Sequence, residues 1–212
     1  MKFESLIFDI DGTLWDSRAL VAEGYNIQLK AEGLEHLYTN AEALRPLFGK
    51  VMTEIGDALF ASIPQPARYA LMERCMETEN RHLFENACNI GYPKVKQTLE
   101  ALAKTHRLFI VSNSQRGYPE LCMDKLGIRD LMSGWMCFGD TGTCKGETIK
   151  TLMAKHNITN ACYIGDTQGD YEAAVIAGTP FVWCTYGFGT PDDYAIKVDA
   201  FEELKEVFCT VK

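Results

Sequence analysis

Asp9 and Asp11 stand two positions apart in the run Asp9-Ile10-Asp11-Gly12-Thr13, directly after the apolar Leu6-Ile7-Phe8. Carboxylates at that spacing can point the same way where a strand ends, and Gly12 lets the backbone turn sharply. A carboxylate is a competent nucleophile toward phosphorus, as in enzymes that pass through an aspartyl-phosphate. An ordinary Asp-Gly turn would use the same residues, but four specified residues rarely coincide by chance, so the motif alone points to phosphoryl chemistry. A second acidic pair lies in Gly165-Asp166-Thr167-Gln168-Gly169-Asp170, after Ala161-Cys162-Tyr163-Ile164. Across a strand-to-helix turn, Asp166 and Asp170 suit a hard, oxygen-seeking cation such as Mg2+. They would also serve as an Asp N-cap with an acid in the first helical turn.

Two further motifs carry hydrogen-bond donors. Ser112-Asn113 follows Leu108-Phe109-Ile110-Val111. Its hydroxyl and amide can donate to phosphate oxygens or cap a helix. Lys145 opens a helical pattern after Trp135-Met136-Cys137-Phe138 and a Gly/Thr-rich loop. A cation is out of place at the positive end of a helix dipole. The mismatch is relieved if Lys145 faces the aspartates and a phosphate.

These motifs need a scaffold that collects strand ends. The apolar runs 5–8, 108–111, 135–138, 161–164 and 181–184 are nearly continuous, as expected of strands covered on both faces. Amphipathic patterns near 93–104, 116–126, 146–156, 169–177 and 201–208 separate or follow them. The alternation predicts an α/β fold: a Rossmann-like parallel sheet core with helices on both faces. Ligands in such sheets bind beyond the carboxyl ends of the strands. From Trp15 to Ala87 the pattern is instead helical, as in Leu44, Leu47, Phe48, Val51, Met52, Ile55 and Leu59, with Pro46, Gly49, Pro64 and Pro66 as breaks. Residues 15–87 are therefore expected to form an inserted all-helical cap, and 1–14 with 88–212 the α/β catalytic core.

Composition narrows the classes. With 47% hydrophobic and 24% charged residues, the 212-residue chain resembles a soluble globular protein. A formal charge of -8 argues against a nucleic-acid or membrane-surface partner. No run approaches the ~18 apolar residues of a membrane span. Met1 to Ser5 lead into an apolar stretch too short for a signal peptide, and the eight cysteines form no CxxC pair. Reduced thiols and a cytoplasmic location are expected. His36, His82, His106 and His156 show no metal spacing.

An acidic pair, a hydroxyl, a lysine and a second acidic pair thus follow four strands in that order. With the helical insert after the first motif and the Gly-Asp-Thr-x-x-Asp form of the last, the sequence resembles the haloacid dehalogenase superfamily of phosphohydrolases, in its phosphoglycolate-phosphatase-like branch. The resemblance implies a Mg2+-dependent phosphatase acting on a small phosphorylated metabolite, with Asp9 as nucleophile and Asp11 as acid and base. It implies a metal held by Asp9, the Asp11 carbonyl and Asp166, with Asp170 as outer ligand or water-orienting group. Ile10, Asp11, Gly12, Ser112, Asn113 and Lys145 would bind the phosphoryl group, and Ser112 and Lys145 would also serve catalysis. Many relatives carry proline after Lys145, where Gly146-Glu147 stand here.

In the insert, Arg18, Arg45 and Lys50 are candidates to meet an anionic substrate, and the Gly49-Lys50 turn resembles a substrate-reaching cap loop. Tyr186-Gly187-Phe188-Gly189 could wall the site or simply pack as an aromatic loop. A sugar phosphomutase of the same superfamily, a phospho-accepting signalling module and a non-catalytic binding protein are the alternatives. The dehalogenating members lack a carboxylate at the position of Asp11. The sequence leaves the substrate and the oligomeric state open.

Overall fold

The computed structural model describes residues 3–209. The chain forms two compact units, Met1–Asp16 with Ile90–Lys212, and Ser17–Asn89. Each boundary lies two residues beyond the expected one, because the backbone of Trp15 bridges to Gly91 and Asp16 N–H donates to the Ile90 carbonyl. Met1, Lys2 and residues 210–212 of the expected core lie outside the described residues.

In the first unit, six strands among the described residues form one sheet: β1 (Ser5–Phe8), β2 (Arg107–Ser112), β3 (Met132–Cys137), β4 (Ala161–Gly165), β5 (Phe181–Cys184) and β6 (Ile196–Val198). Their order is β3-β2-β1-β4-β5-β6, with every pairing parallel. β1 lies between β2 and β4, so the order reverses beside it and the crevice at its carboxyl end is the topological switch point. Leu6, Ile7 and Phe8 are fully buried, which explains their uninterrupted apolarity.

Two strands differ from expectation. β3 begins at Met132, three residues early, because it is an edge strand whose half-exposed face tolerates Ser133 and Gly134. Phe138, expected to end it, opens a helical turn instead. β6 has no counterpart among the expected strands, because three residues with an exposed Lys197 at the centre carry no usable periodicity.

The second unit is all-helical: α1 (Arg18–Ala31), α2 (Ala41–Leu44), α3 (Met52–Leu59) and α4 (Gln65–Glu85), with one-turn 3-10 pieces between them. α1 and α4 run antiparallel, joined by Glu23–His82, Gln28–Thr78 and Glu32–Arg74. Gly24 lets them close, since a Cβ there would lie 2.7 Å from Glu79 Cα. Arg18 pairs with Glu42 at 3.6 Å within this unit, whereas Arg45 and Lys50 are exposed.

The sheet unit adds α5 (Val95–Leu102), α6 (Tyr118–Leu126), α7 (Phe138–Thr141), α8 (Lys145–Lys155), α9 (Gln168–Ala177) and α10 (Leu204–Phe208). Ile7, Phe109, Val111 and Tyr163 share one core cluster with Ile149 and Leu152 of α8 and Ala173 and Ala174 of α9. Gly146, which stands where many relatives carry proline, admits α9: a Cβ there would meet Ile176 Cβ at 2.6 Å. On the other face Phe8 packs against Phe201, and α5 against α10.

Candidate active site

The carboxyl end of β1 places Asp9, whose N–H donates to the Ile164 carbonyl of β4 at 2.8 Å. A tight turn follows. Gly12 takes φ +84, and the Ile10 carbonyl accepts from the N–H groups of Thr13, Leu14 and Trp15. The Gly12 N–H donates to the Trp15 carbonyl at 2.9 Å and is therefore engaged inside the turn. Ile10 buries its side chain completely.

Lys145 is the first residue of α8 and is 5% exposed. Its Nζ donates to Asp9 Oδ1 at 2.8 Å and Asp170 Oδ1 at 2.7 Å. The ammonium at the positive end of a helix is thus compensated by two buried carboxylates. Asp170, the third residue of α9, has a bracing geometry. Its Oδ2 accepts from Thr167 N–H (3.0 Å), Thr167 Oγ1 (2.7 Å) and Asp166 N–H (3.2 Å). Tyr163 OH lies 3.4 Å from Oδ1 and also donates to the Val111 carbonyl. The N-cap of α9 is Thr167, in a capping box with Asp170, so the Asp166 cap considered from sequence does not form. That leaves Asp166 available for chemistry.

Asp166 is fully buried, and the turn before α9 aims it at Asp9. Its Oδ2 accepts from Phe188 N–H at 2.6 Å. A methyl group on Gly12 or on Gly187 would overlap this carboxylate, so two glycines make its room. The 186–189 loop therefore seats Asp166, a role its sequence did not announce; Tyr186 OH anchors it on the Thr13 carbonyl at 2.9 Å. Asp166 Oδ1 is buried with no hydrogen-bond partner. Such an atom costs free energy unless a cation or proton meets it.

Asp9, Asp166 and Asp170 each offer an oxygen within 4.8 Å of the others. Burial pushes the Asp9 carboxyl up to about 7, against the pull of Lys145. Burial, then the charges of Asp170 and Asp9, raise Asp166 well above the carboxylate range. Asp170 is also buried, but Lys145 and Thr167 outweigh that and hold it below its ordinary value. Burial works against the Lys145 charge, and Asp170 and Asp9 more than reverse it, so the amine stays protonated. Hard oxygen donors with an unsatisfied buried oxygen fit Mg2+. Asp9 and Asp166 could hold it, while Asp170 already has donors on both oxygens.

Ser112 ends β2 buried, and its Oγ accepts from Ser114 N–H at 3.2 Å. Its hydroxyl proton can still be donated elsewhere. Asn113 is half-buried, and neither residue caps α6, whose N-cap is Gly117. Asp11 accepts from Trp15 Nε1 at 2.7 Å and Tyr118 OH at 2.8 Å. Neither aromatic is among the site residues expected from sequence. Trp15 was placed in the insert, and Tyr118 belongs to no motif.

The model of the family described as haloacid dehalogenase-like hydrolase matches residues 6–184. A phosphoglycolate phosphatase of Aquifex aeolicus is 30% identical over 190 residues, spanning 86% of this chain and 85% of the relative. Among solved structures, a predicted phosphoglycolate phosphatase from Haemophilus somnus superposes with a TM-score of 0.81 at 24% identity, covering 98% of both chains. A haloacid dehalogenase-like hydrolase from Streptococcus pneumoniae gives 0.78 at 19%, covering 97% of this chain and 98% of that one. These two likenesses concern the fold. The family match spans most of the sheet unit and the whole helical insert, and on that ground the chain belongs to the haloacid dehalogenase-like hydrolases, in the branch that resembles phosphoglycolate phosphatases.

Proposed function

We propose that this hydrolase is a Mg2+-dependent phosphatase that cleaves small phosphate monoesters through an aspartyl-phosphate on Asp9. The observation that carries the reading is the buried, partnerless Asp166 Oδ1 beside Asp9, whose other buried neighbour is the Lys145 ammonium at 2.8 Å. Mg2+ held by Asp9 and Asp166 would draw charge from the phosphoryl oxygens. Asp9 attacks phosphorus. Lys145 fixes the Asp9 rotamer and offsets negative charge, and Asp170 holds Lys145 in place. Ser112 and Asn113 orient the phosphoryl oxygens. Asp11 gives its proton to the departing alcohol oxygen, then takes one from the water that attacks the aspartyl-phosphate.

The relatives' names put phosphoglycolate at the head of the substrate panel. Residues 17–89 would act as the cap, with Lys50 at the Gly49 turn as a substrate contact. No helix among the described residues is long and apolar enough to cross a membrane, and all eight cysteines are free thiols, which supports work in the cytoplasm.

The test is acid-quenched turnover with Mg2+ and a monoester panel. Phosphate release abolished by EDTA, and a mass increment of one phosphoryl group on the peptide containing Asp9, are expected. Asp9→Asn should show neither. Turnover without a trapped phosphopeptide, or near-normal turnover of Asp9→Asn, would refute the proposal.

A further inference from the structure

We propose that Trp15 and Tyr118 are positioning residues that lock the Asp11 carboxyl so that its transferable proton resides on Oδ2. The inference rests on the reading of Asp11 as proton donor and acceptor.

Both aromatics donate to the same oxygen, Trp15 Nε1 at 2.7 Å and Tyr118 OH at 2.8 Å from Asp11 Oδ1. They are 0% and 2% exposed, and their rings meet edge to face, 5.5 Å apart at 78°. Each is fixed from behind. The Trp15 carbonyl accepts the Gly12 N–H, and its backbone bridges to Asp11 and to Gly91. Tyr118 is the first residue of α6, set by Gly117 at φ +88. The clamp therefore ties the turn after β1 to the helix after β2.

Hydrogen bonding decides the proton's place. An oxygen that accepts from an indole N–H and a phenol O–H presents its lone pairs to those hydrogens, and a carboxyl proton on it would collide with them. The proton of a neutral Asp11 then sits on Oδ2. It passes from Oδ2 to the leaving oxygen as the phosphorus–oxygen ester bond breaks and Asp9 bonds to phosphorus. In the second half, a proton of the attacking water passes to Oδ2 as its oxygen bonds to phosphorus and Asp9 leaves. Atoms and charge balance over the cycle. A free carboxylate would sample several rotamers, and displacements near 1 Å are enough to cost about 10²-fold in rate.

Leaving-group dependence separates this role from simple packing. An alkyl phosphate needs its departing oxygen protonated, whereas dinitrophenolate leaves without a proton. Under saturating Mg2+, kcat/KM is compared for glycerol phosphate and 2,4-dinitrophenyl phosphate in Tyr118→Phe, Trp15→Phe and Asp11→Asn. Tyr118→Phe keeps the ring against Trp15 and deletes only the hydroxyl. We expect it to lose on the order of tenfold on glycerol phosphate and less than about twofold on the dinitrophenyl ester, a pattern that Trp15→Phe repeats and Asp11→Asn exaggerates. If Asp11→Asn is selective while Tyr118→Phe and Trp15→Phe affect both substrates equally, or neither, the clamp is overturned. If Asp11→Asn is itself unselective, the acid role of Asp11 fails and the inference falls with it.

Discussion

The ammonium of Lys145 donates to the Asp9 carboxylate at 2.8 Å across 136 residues of sequence, and both side chains are 4% exposed. The second acceptor of that ammonium, Asp170, is completely buried. One cation thus holds two carboxylates that would otherwise repel in a medium of low dielectric. Removing a single partner from such a group leaves uncompensated buried charge, which costs far more than the pair contributes.

Lys145→Met should therefore destabilise the protein by about 3–5 kcal/mol. The loss should be smaller at acid pH, where Asp9 and Asp170 can take up protons in place of the missing ammonium. Phosphatase turnover should fall by roughly 10²–10³-fold. Urea unfolding at pH 5.5 and 8 tests the first point and phosphate release the second. A denaturation midpoint equal to the parent at both pH values would contradict the buried-charge account.

Metal and protons compete for the same oxygens. Asp9 has its folded value raised from 3.8 to about 7, chiefly by burial. A carboxyl raised on folding gives stability that is complete below its unfolded value and is lost as pH rises through the folded one. In EDTA, Tm should consequently decline as pH rises through about 7. Mg2+ must displace protons from Asp9 and Asp166, so its stabilising shift should grow over the same interval. Differential scanning fluorimetry at pH 6 and 8, with and without Mg2+, checks both slopes. An equal Mg2+ shift at the two pH values would show that neither carboxyl is protonated in the metal-free protein.

The chemistry was more legible than its supports. Asp9 and Asp166 announce themselves because charged residues at the ends of apolar runs are costly unless used, Lys145 only because a cation at a helix start calls for acidic partners, and the structure brings all three together. The parallel sheet was readable from the same apolar runs, since strands covered on both faces cannot alternate. The supports were silent for definite reasons. Trp15 reads as an apolar helix starter, and its N–H matters only once the turn closes on Asp11. Phe188 acts through its backbone N–H, which every non-proline residue possesses. Gly146 and Gly187 work by lacking a side chain, and nothing in a glycine's neighbours in sequence states which distant atom fills the space. Asp170 was visible as an acid, but the three donors on its Oδ2 that make it a brace come from a capping geometry that sequence spacing only permits.

Gly187 offers the sharpest check on how Asp166 is held. A Cβ at Gly187 would overlap the Asp166 carboxylate, and Gly187 is not among the glycines with left-handed backbone, so alanine there tests space alone. Gly12 crowds the same carboxylate but at φ +84, where any side chain also strains the backbone. In Gly187→Ala either the loop retreats, taking the Phe188 N–H from Asp166 Oδ2, or Asp166 rotates away from Asp9. Both displace a candidate metal oxygen while leaving the Lys145 contacts to Asp9 and Asp170 in place. Mg2+ affinity should fall about 10–100-fold, with turnover partly recovered at high Mg2+. Gly169→Ala is the matched control from the same acidic motif. It lies in the first turn of α9, and its Cβ would meet only Thr167 Oγ1, at an ordinary 3.7 Å. It should bind Mg2+ like the parent and gain up to ~1 kcal/mol of stability from helix propensity. Calorimetric titration of Mg2+ into both variants decides the matter: equal affinities would show that the loop after β5 does not position the metal-binding carboxylate.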